Sequence, residues 1–409
     1  MEKTTKIGVI GVGGRGINLF DILLGMDDVK IVSVCDFSDE LLKTACDHAQ
    51  EKRGYEVKTT KNADELINDP DVEAVMIFTS WNAHVPLAIK AMKAGKYVAF
   101  EVGPAQNIEQ VWELVRTSEE TGAHCMMLEN CCYGERELMM DNMIDKGMFG
   151  ELIHCRAGYG HDLREHISHC LDRGQERGYQ NVCRNGDIYI THGLGPVMNW
   201  LKINRGNRFL TVSSVSSKAV GLQKKYEELH EGKTQRFNMG DITTTTLTCA
   251  GGETALITHN ISSPRPYTRY NWVQGTKGIY TEDNDKIYIE GHGENDKWSE
   301  VGDFAEYAHP IWKKKNEFEA LGHGGMDYLV LRAFLEAVRN GTETPIDVYD
   351  SAVLLAISVL SETSVTLGGQ PVEVPDFTDG KWVRRKPAPK TIYSLDEIHD
   401  DLFEGELKL

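Results

Sequence analysis

The chain has 409 residues and a formal net charge of −18, with 44 Lys and Arg against 62 Asp and Glu. This acidity argues against nucleic acid or an anionic membrane as a partner, because both are negatively charged. The length favours two domains, and no apolar run approaches the ~18–20 residues of a membrane span. The first strand leaves no room for a signal peptide, so we expect a cytoplasmic protein with reduced cysteines.

The most informative motif lies near the N-terminus. An apolar run, 7–12, leads into Gly-x-Gly-x-x-Gly between Gly11 and Gly16, and a helical pattern follows. This strand–glycine–helix order is typical of dinucleotide binding, because the glycines let the backbone approach a pyrophosphate at a helix N-terminus. Asp36 ends the next apolar run and is placed to bind ribose hydroxyls, which favours NAD over NADP. The motif assigns to the cofactor Gly11, Gly13, Gly14, Arg15, Gly16 and Asp36.

Strands and helices alternate through the rest of the first third of the chain. The predicted strands are 31–35, 72–78, 97–100 and 124–128, and the predicted helices are 38–53, 83–94 and 107–121. This pattern predicts an α/β fold with a doubly wound, parallel Rossmann sheet over residues 1–130. Ligands of such sheets bind at the carboxyl ends of the strands. That edge adds to the cofactor set Ser80, Trp81, Asn82, His84, Glu101, Val102 and Asn130.

The pattern changes after Tyr133. A turn at 147–150 leads into a long strand, and further strands are predicted at 211–217, 242–249, 254–262 and 270–275. Gly251 and Gly252 favour a hairpin between two of these strands. A late helix, 351–367, precedes the C-terminal tail. We therefore predict an α+β domain over residues 131–409 with an open, mostly antiparallel sheet, whose exposed face is compatible with a homodimer.

Two Tyr/His pairs are the strongest candidates for proton transfer. Tyr189 and His192 are three residues apart at the start of a predicted helix, so they share a face. Tyr159 and His161 alternate on a predicted strand and also share a face. Either pair can bind a substrate hydroxyl and move its proton. A buried, hydrogen-bonded structural pair is the alternative that spacing alone leaves open.

Several other residues have a structural alternative to a role in the site. Trp81 can stack on a nicotinamide or anchor the core, and His84 can cap the helix that follows it. Glu129 can form a salt bridge or cap a helix. The His and Cys residues between His161 and Cys170 are irregularly spaced in an Arg-rich segment, so we expect no metal site there.

Part of the first domain resembles the glucose–fructose oxidoreductase / inositol dehydrogenase / MocA family. The resemblance lies in the N-terminal fingerprint, the sheet domain behind it and the stretch 94–101. Members usually have Glu-Lys-Pro at the end of this strand, and the lysine is the usual partner of the substrate hydroxyl. Val102 stands at that lysine position here. An ordinary dehydrogenase role is therefore not favoured.

Longer motifs resemble glycoside hydrolase family 109, whose members are NAD-dependent α-N-acetylgalactosaminidases. These motifs are 124–134, 159–163, 184–196, 204–206, 263–267 and 322–327. The resemblance implies an NAD-dependent glycosidase without a metal, acting by transient C3 oxidation, C1 elimination, water addition and re-reduction. It implies catalytic roles for His192, Tyr189, Tyr159 and His161, and substrate contacts for Glu129, Tyr133, Arg184 and Tyr267.

Two departures and two rival functions accompany this resemblance. Many relatives read Pro-Ala where this chain has Gly103 and Pro104, and many carry an export signal. One rival is an NAD-dependent sugar dehydrogenase, which releases NADH. The other is a non-catalytic, NAD-responsive binding protein, which needs few proton-transfer groups. The expected partner is a small glycoside, with NAD as the cofactor.

Overall fold

The computed structural model describes residues 4–404 and contains a parallel sheet followed by a larger, mostly antiparallel one. The parallel sheet has strands β1 (Thr5–Ile10), β2 (Val29–Cys35), β3 (Lys58–Thr60), β4 (Ala74–Ile77), β5 (Tyr97–Phe100) and β6 (Cys125–Met127). Its helices are α1 (Gly14–Leu24), α2 (Asp39–Arg53), α3 (Ala63–Ile67), α4 (Trp81–Lys93) and α5 (Ile108–Thr121). The strand order β3-β2-β1-β4-β5-β6 is the doubly wound Rossmann order.

Local sequence explains why these elements begin and end where they do. The apolar strands are buried on both faces, as β4 shows with its four buried residues. Ser38 caps α2 by accepting a hydrogen bond from the Leu41 N–H, and Asn107 caps α5 from the Gln110 N–H. Gly122 ends α5 in the left-handed conformation. The predicted parallel sheet is confirmed.

The second sheet has nine strands in the order β14-β13-β12-β11-β7-β10-β9-β8-β15. They are β7 (Leu152–Gly160), β8 (Phe209–Ser216), β9 (Thr243–Cys249), β10 (Thr254–Asn260), β11 (Trp272–Gly275), β12 (Gly278–Thr281), β13 (Lys286–Ile289), β14 (Ser299–Glu300) and β15 (Val372–Glu373). All neighbours pair antiparallel except β7 and β10, which are parallel. The predicted open, mostly antiparallel sheet is confirmed, including the β9–β10 hairpin.

The helices of the second half are α6 (Glu135–Asp145), α7 (Arg164–Asp172), α8 (Glu176–Cys183), α9 (Thr191–Trp200), α10 (Gly221–Leu229), α11 (Met326–Asn340) and α12 (Val348–Thr366). Helix α12 packs against α5, β6 and β8, so it joins the two sheets. It is long and apolar enough to cross a membrane by length and composition alone, contrary to the expectation that no segment approaches a membrane span. However, 72% of its most apolar window is buried inside the protein, as expected of a core helix.

Sequence reasoning missed several short strands. Strand β3 is polar and has three residues, whereas β12–β15 have four residues or fewer and lie in the outer part of the large sheet. Such strands form because a neighbouring strand offers hydrogen bonds, not because of their own pattern. The two predicted domains meet in the stretch between β6 and β7, and their outer ends, 1–3 and 405–409, lie outside the described residues.

Candidate active site

The glycine loop between β1 and α1 is shaped to receive a dinucleotide. Gly11 has φ +91°, and a Cβ there would lie 2.8 Å from the Phe78 carbonyl group. A Cβ on Gly16 would lie 2.4 Å from the Gly11 oxygen, so only glycine allows α1 to pack this closely. Gly13 and Gly14 face open space, and no side chain caps α1. This open cradle at a helix N-terminus fits a pyrophosphate.

Asp36 lies beside this loop at the end of β2. One carboxylate oxygen accepts a hydrogen bond from the Val12 N–H at 3.0 Å, and the other accepts one from the Ser38 N–H at 3.0 Å. These two donors fix the carboxylate at the carboxyl edge of the sheet. The structure therefore places Asp36 where the fingerprint requires an acceptor for the ribose.

Trp81 connects this edge to the second domain. Its indole stacks on the Tyr189 ring with centroids 5.6 Å apart. The Arg177 guanidinium lies over both rings, at 5.3 Å from Trp81 and 4.7 Å from Tyr189. A Cβ on Gly103 would lie 2.5 Å from the indole, so the glycine at this position makes room for Trp81. Gly103 thus allows the indole to lie at this edge of the sheet.

Other predicted cofactor residues are engaged within the protein. Ser80 donates its hydroxyl hydrogen bond to the Asn82 side-chain oxygen at 2.8 Å. His84 is buried, with Nε2 3.0 Å from the Thr79 carbonyl oxygen, and burial lowers the pKa of its imidazole to about 4. Val102 is also buried. This placement favours a structural role for His84, but not the predicted helix cap, because His84 lies inside α4 and its ring bonds the Thr79 carbonyl oxygen.

A cluster of five aromatic and imidazole side chains, the Tyr/His cluster, lies at the end of β7. The Tyr159 ring is 4.9 Å from Tyr189, 5.2 Å from His192 and 6.0 Å from Tyr267, measured between centroids. His161 lies 5.2 Å from Tyr267, and its Nδ1 is 2.9 Å from the Tyr159 hydroxyl oxygen. The structure therefore brings together the four predicted catalytic residues and one predicted substrate contact.

Close packing between α9 and β7 produces this proximity. A Cβ on Gly193 would lie 2.4 Å from the backbone nitrogen of Gly158. The paired glycines let the first turn of α9 approach the end of β7 at backbone distance. His192 and Tyr159, one residue away from these glycines, are brought into ring contact as a result.

Glu129 acts on His192 and does not face solvent. Its carboxylate has no solvent exposure, and one oxygen lies 2.7 Å from Nδ1 of His192 while accepting the Cys131 N–H at 3.0 Å. Burial lowers the pKa of His192, but the electrostatic influence of Cys131 and Glu129 outweighs burial and raises it well above the usual value. Burial raises the pKa of Glu129, and His192 reverses this to a net lowering.

In the second pair, Tyr159 and His161, the pKa of the histidine is shifted in the opposite direction to that of His192. Burial raises the pKa of Tyr159 to about 12, so the phenol keeps its proton throughout the neutral range. Burial and the nearby Arg177 lower the pKa of His161, so its imidazole is neutral at pH 7. The Tyr159 hydroxyl and Nδ1 of His161 therefore share one hydrogen bond, whose direction is set by the tautomer of the imidazole.

Two predicted substrate contacts lie elsewhere. Tyr133 is 1% exposed, and its hydroxyl donates to the Tyr393 carbonyl oxygen at 3.0 Å. Arg184 forms a two-pronged ion pair with Glu362 and also donates to the Ala105 carbonyl oxygen. The structure brings neither residue into contact with the Tyr/His cluster, which corrects the expectation for Tyr133 because its only polar atom is already paired in the core.

Sequence reasoning also missed residues that complete the site. Asp327, at the start of α11, forms hydrogen bonds with the predicted cofactor residues Arg15 and Asn130. Its motif was recognised, yet no pattern connected it to the glycine loop. Arg177 and Arg269 were also missed. Arg269 pairs with buried Glu137 at 2.9 Å, and the Nε atoms of both arginines are buried without a hydrogen-bond partner.

One set of side chains in residues 4–404 has the composition of a metal site. Glu129, Cys131 and His192 are buried, and each offers a ligand atom within 4.8 Å of the others. The Nδ1 of His192 already shares a hydrogen bond with Glu129, so this pair is complete without an ion. In the segment where we considered a metal, His166 pairs with Cys170 at 3.5 Å, and no third ligand joins them among the described residues.

The fold and the glycine crevice are those of an NAD-binding protein. Residues 5–129 match the oxidoreductase family with an NAD-binding Rossmann fold. The structure is similar to that of an NAD binding oxidoreductase from Klebsiella pneumoniae, with a TM-score of 0.72, 18% identity, and 91% of this chain and 99% of that chain covered. The cofactor is NAD.

The second half of the chain identifies a narrower family. Residues 133–384, more than half of the chain, match the model for the glycosyl hydrolase 109 C-terminal domain. The chain is 39% identical to the alpha-N-acetylgalactosaminidase of Tannerella forsythia, over 94% of this chain and 88% of that protein. It is 40% identical to a glycosyl hydrolase family 109 protein of Solibacter usitatus, over 94% and 90%. The chain belongs to glycosyl hydrolase family 109 and is an NAD-dependent glycosidase.

Proposed function

We propose that the protein removes α-linked N-acetylgalactosamine from a small glycoside, by transient oxidation at C3 and elimination at C1. The similarity to the alpha-N-acetylgalactosaminidase of Tannerella forsythia supports the sugar. The contact between the Tyr/His cluster and the cofactor crevice, made by the stack of Trp81 on Tyr189, carries the route. Proton-transfer groups beside an NAD site are the requirement of this route.

The crevice can hold the cofactor with the groups already described. The open cradle of Gly13 and Gly14 would take the pyrophosphate, and Asp36 the ribose hydroxyls. When bound there, NAD supplies a hydride acceptor for C3 and returns the hydride at the end, so that no net oxidation occurs.

The pair of Glu129 and His192 suits the proton of the C3 hydroxyl. When its imidazole is neutral, His192 accepts that proton, and the buried Glu129 carboxylate, 2.7 Å away, stabilises the imidazolium that forms. Tyr189 is in ring contact with His192, with centroids 5.1 Å apart, and is placed to orient the same hydroxyl. The pair then returns the proton when C3 is reduced.

The second pair suits the chemistry at C2 and C1. A ketone at C3 acidifies the C2 hydrogen, and neutral His161 is the group in the cluster available to remove it. Tyr159, which keeps its proton, donates to the leaving oxygen or to the ketone oxygen. The aglycon leaves, water adds, and the same two side chains complete the protonation steps.

A conventional glycosidase mechanism is less well supported. It needs two carboxylates on opposite sides of the scissile bond. Glu129 contacts the Tyr/His cluster through His192, but its side chain has no exposed surface and is committed to His192 and the Cys131 N–H. The other rival function is that of a sugar dehydrogenase. Such an enzyme is expected to have a lysine at the position where this chain has the neutral residue Val102.

Hydrolysis of an aryl α-N-acetylgalactosaminide in D₂O tests the proposal. Elimination exchanges the C2 hydrogen with solvent, so we expect deuterium at C2 of the released sugar and a primary isotope effect with C2-deuterated substrate. The matched control is hydrolysis by an enzyme that displaces at C1, which leaves C2 untouched. Release of sugar without deuterium at C2 and without an isotope effect at C2 or C3 contradicts the route. Stoichiometric NADH without sugar release identifies a dehydrogenase.

A further inference from the structure

The segment 322–327, here called the strap, has an unusual backbone path. Gly322, His323, Gly324 and Gly325 all have positive φ, between +43° and +96°. A Cβ on Gly322 would lie 2.4 Å from the Asp327 carboxylate, and one on Gly325 would lie 2.4 Å from the Phe318 ring. L-residues avoid this conformation. The strap is therefore held in one path by the groups that it contacts.

The strap ends at a buried carboxylate that connects several elements. The Asp327 side chain has no solvent exposure and accepts hydrogen bonds from Arg15 Nη1 at 2.6 Å and Nη2 at 2.8 Å. It also accepts one from Asn130 Nδ2 at 2.7 Å, and His323 Nδ1 lies 2.8 Å away. Burial would raise the pKa of Asp327, but the hydrogen bonds from Arg15 and His323 hold it well below the usual range.

Arg15 places this connection on the cofactor crevice itself. It belongs to the first turn of α1, between Gly14 and Gly16, and its Nη2 also lies 3.1 Å from Glu101 at the end of β5. Asn130 follows β6 at the same edge of the sheet. One carboxylate from the second domain thus ties together the glycine loop and a strand end at the carboxyl edge of the parallel sheet, where the dinucleotide is expected.

We propose that the strap is a latch that retains NAD, with Asp327 as the positioning residue that holds Arg15 and the glycine loop closed. Opening the loop far enough to release the pyrophosphate separates a two-pronged ion pair and leaves the buried Asp327 carboxylate without its arginine. NAD exchange is slow for this reason. The inference depends on NAD binding, and it holds whether or not the glycosidase route is correct.

The chain offers a matched control on the same helix. Arg332 of α11 donates to both oxygens of Asp28, at 2.7 and 3.0 Å, and Asp28 also pairs with Arg339. This ion pair also joins α11 to the first domain. Asp28 immediately precedes β2, so it lies at the edge of the parallel sheet opposite the crevice. Asp28→Asn weakens the contact between domains without touching the strap.

The experiment measures exchange of protein-bound NAD into an excess of isotopically labelled NAD, without glycoside, in the full chain. We expect Asp327→Asn to accelerate exchange about tenfold or more, because it removes a charged, two-pronged partner. Asp28→Asn should lower the melting temperature and leave the exchange rate within twofold of wild type. Equal exchange rates in Asp327→Asn and wild type, or equal acceleration by Asp28→Asn, overturn the proposal.

A second variant covers the case in which Asp327→Asn does not fold. Arg15→Lys keeps the charge but loses the planar fork that binds both oxygens. We expect it to accelerate NAD exchange by a smaller factor than Asp327→Asn. Exchange at the wild-type rate in folded Arg15→Lys contradicts the latch. Because no sugar is present, these results are independent of the outcome of the D₂O experiment.

Discussion

At the carboxyl edge of the parallel sheet, the glycine loop of the cofactor crevice is formed by backbone, whereas the Tyr/His cluster at the end of β7 consists of side chains. In the crevice, Gly11, Gly13, Gly14 and Gly16 make room and α1 supplies N–H groups. In the cluster, two glycines only permit close packing, and rings and imidazoles make the contacts.

The two regions respond differently to substitution for this reason. Adding one methyl group to the glycine loop fills space that the backbone or the ligand needs. In the cluster, the shape of a ring matters less than its proton, because Tyr159, His161 and His192 differ in which form they hold at neutral pH. Substitutions in the crevice should therefore mainly weaken NAD binding, and substitutions in the Tyr/His cluster should mainly lower turnover.

The largest expected effect is on turnover. His192→Ala and Tyr189→Phe should each lower kcat by about 10²-fold or more, because general acid–base groups contribute 10²–10⁴. The measurement is kcat on an aryl α-N-acetylgalactosaminide, together with the amount of NAD that copurifies. Near-normal kcat in both variants, with NAD intact, would return this pair to a structural role.

A pair of glycine variants should separate stability from binding in the crevice. Gly16→Ala puts a methyl group 2.4 Å from the Gly11 oxygen, so it should cost about 1–3 kcal/mol of folding free energy. Gly14→Ala meets no protein atom within 4 Å and should keep the melting temperature while weakening NAD binding. Calorimetry with and without NAD measures both effects. If Gly14→Ala binds NAD as wild type does, the cradle lies elsewhere.

The interaction of Glu129 with His192 should be visible in the pH dependence of kcat/KM. Glu129 raises the pKa of His192, and His192 acts as a base only when it is neutral, so kcat/KM should rise with pH through that raised pKa. Glu129→Gln removes the negative charge and lowers the pKa of His192. The rising limb of kcat/KM should consequently move to lower pH, while Asp28→Asn leaves it in place. A limb that stays unmoved in Glu129→Gln would exclude His192 as the titrating base.

The smallest expected effect is that of chelators. Glu129, Cys131 and His192 have the composition of a metal site, but the hydrogen bond between the carboxylate and the imidazole satisfies the pair. Dialysis against a strong chelator should leave kcat unchanged within error. Loss of activity that Zn²⁺ restores would assign this set to a metal and would replace the proton-transfer role of His192.

Sequence patterns predicted the strands of the first domain more completely than those of the second. Strands β1, β2, β4, β5 and β6 follow from short apolar runs. The short, polar strand β3 and the outer strands β12–β15 were missed because their stability comes from a neighbouring strand. The same difference applies to the site, since the glycine fingerprint is local and the pairing of Asp327 with Arg15 spans most of the chain.

The sequence by itself determined the dinucleotide crevice, the two sheets and the membership of Tyr159, His161, Tyr189 and His192 in one site, the last through a family resemblance. Only the tertiary structure decided what each of these groups is bonded to. Glu129 and His192 are far apart in sequence, and it is the approach of α9 to the turn after β6, where a Cβ on Gly195 would lie 2.8 Å from the Glu129 side chain, that places them 2.7 Å apart in a buried site. Proton affinity depends on such neighbours and on burial, neither of which a linear pattern contains.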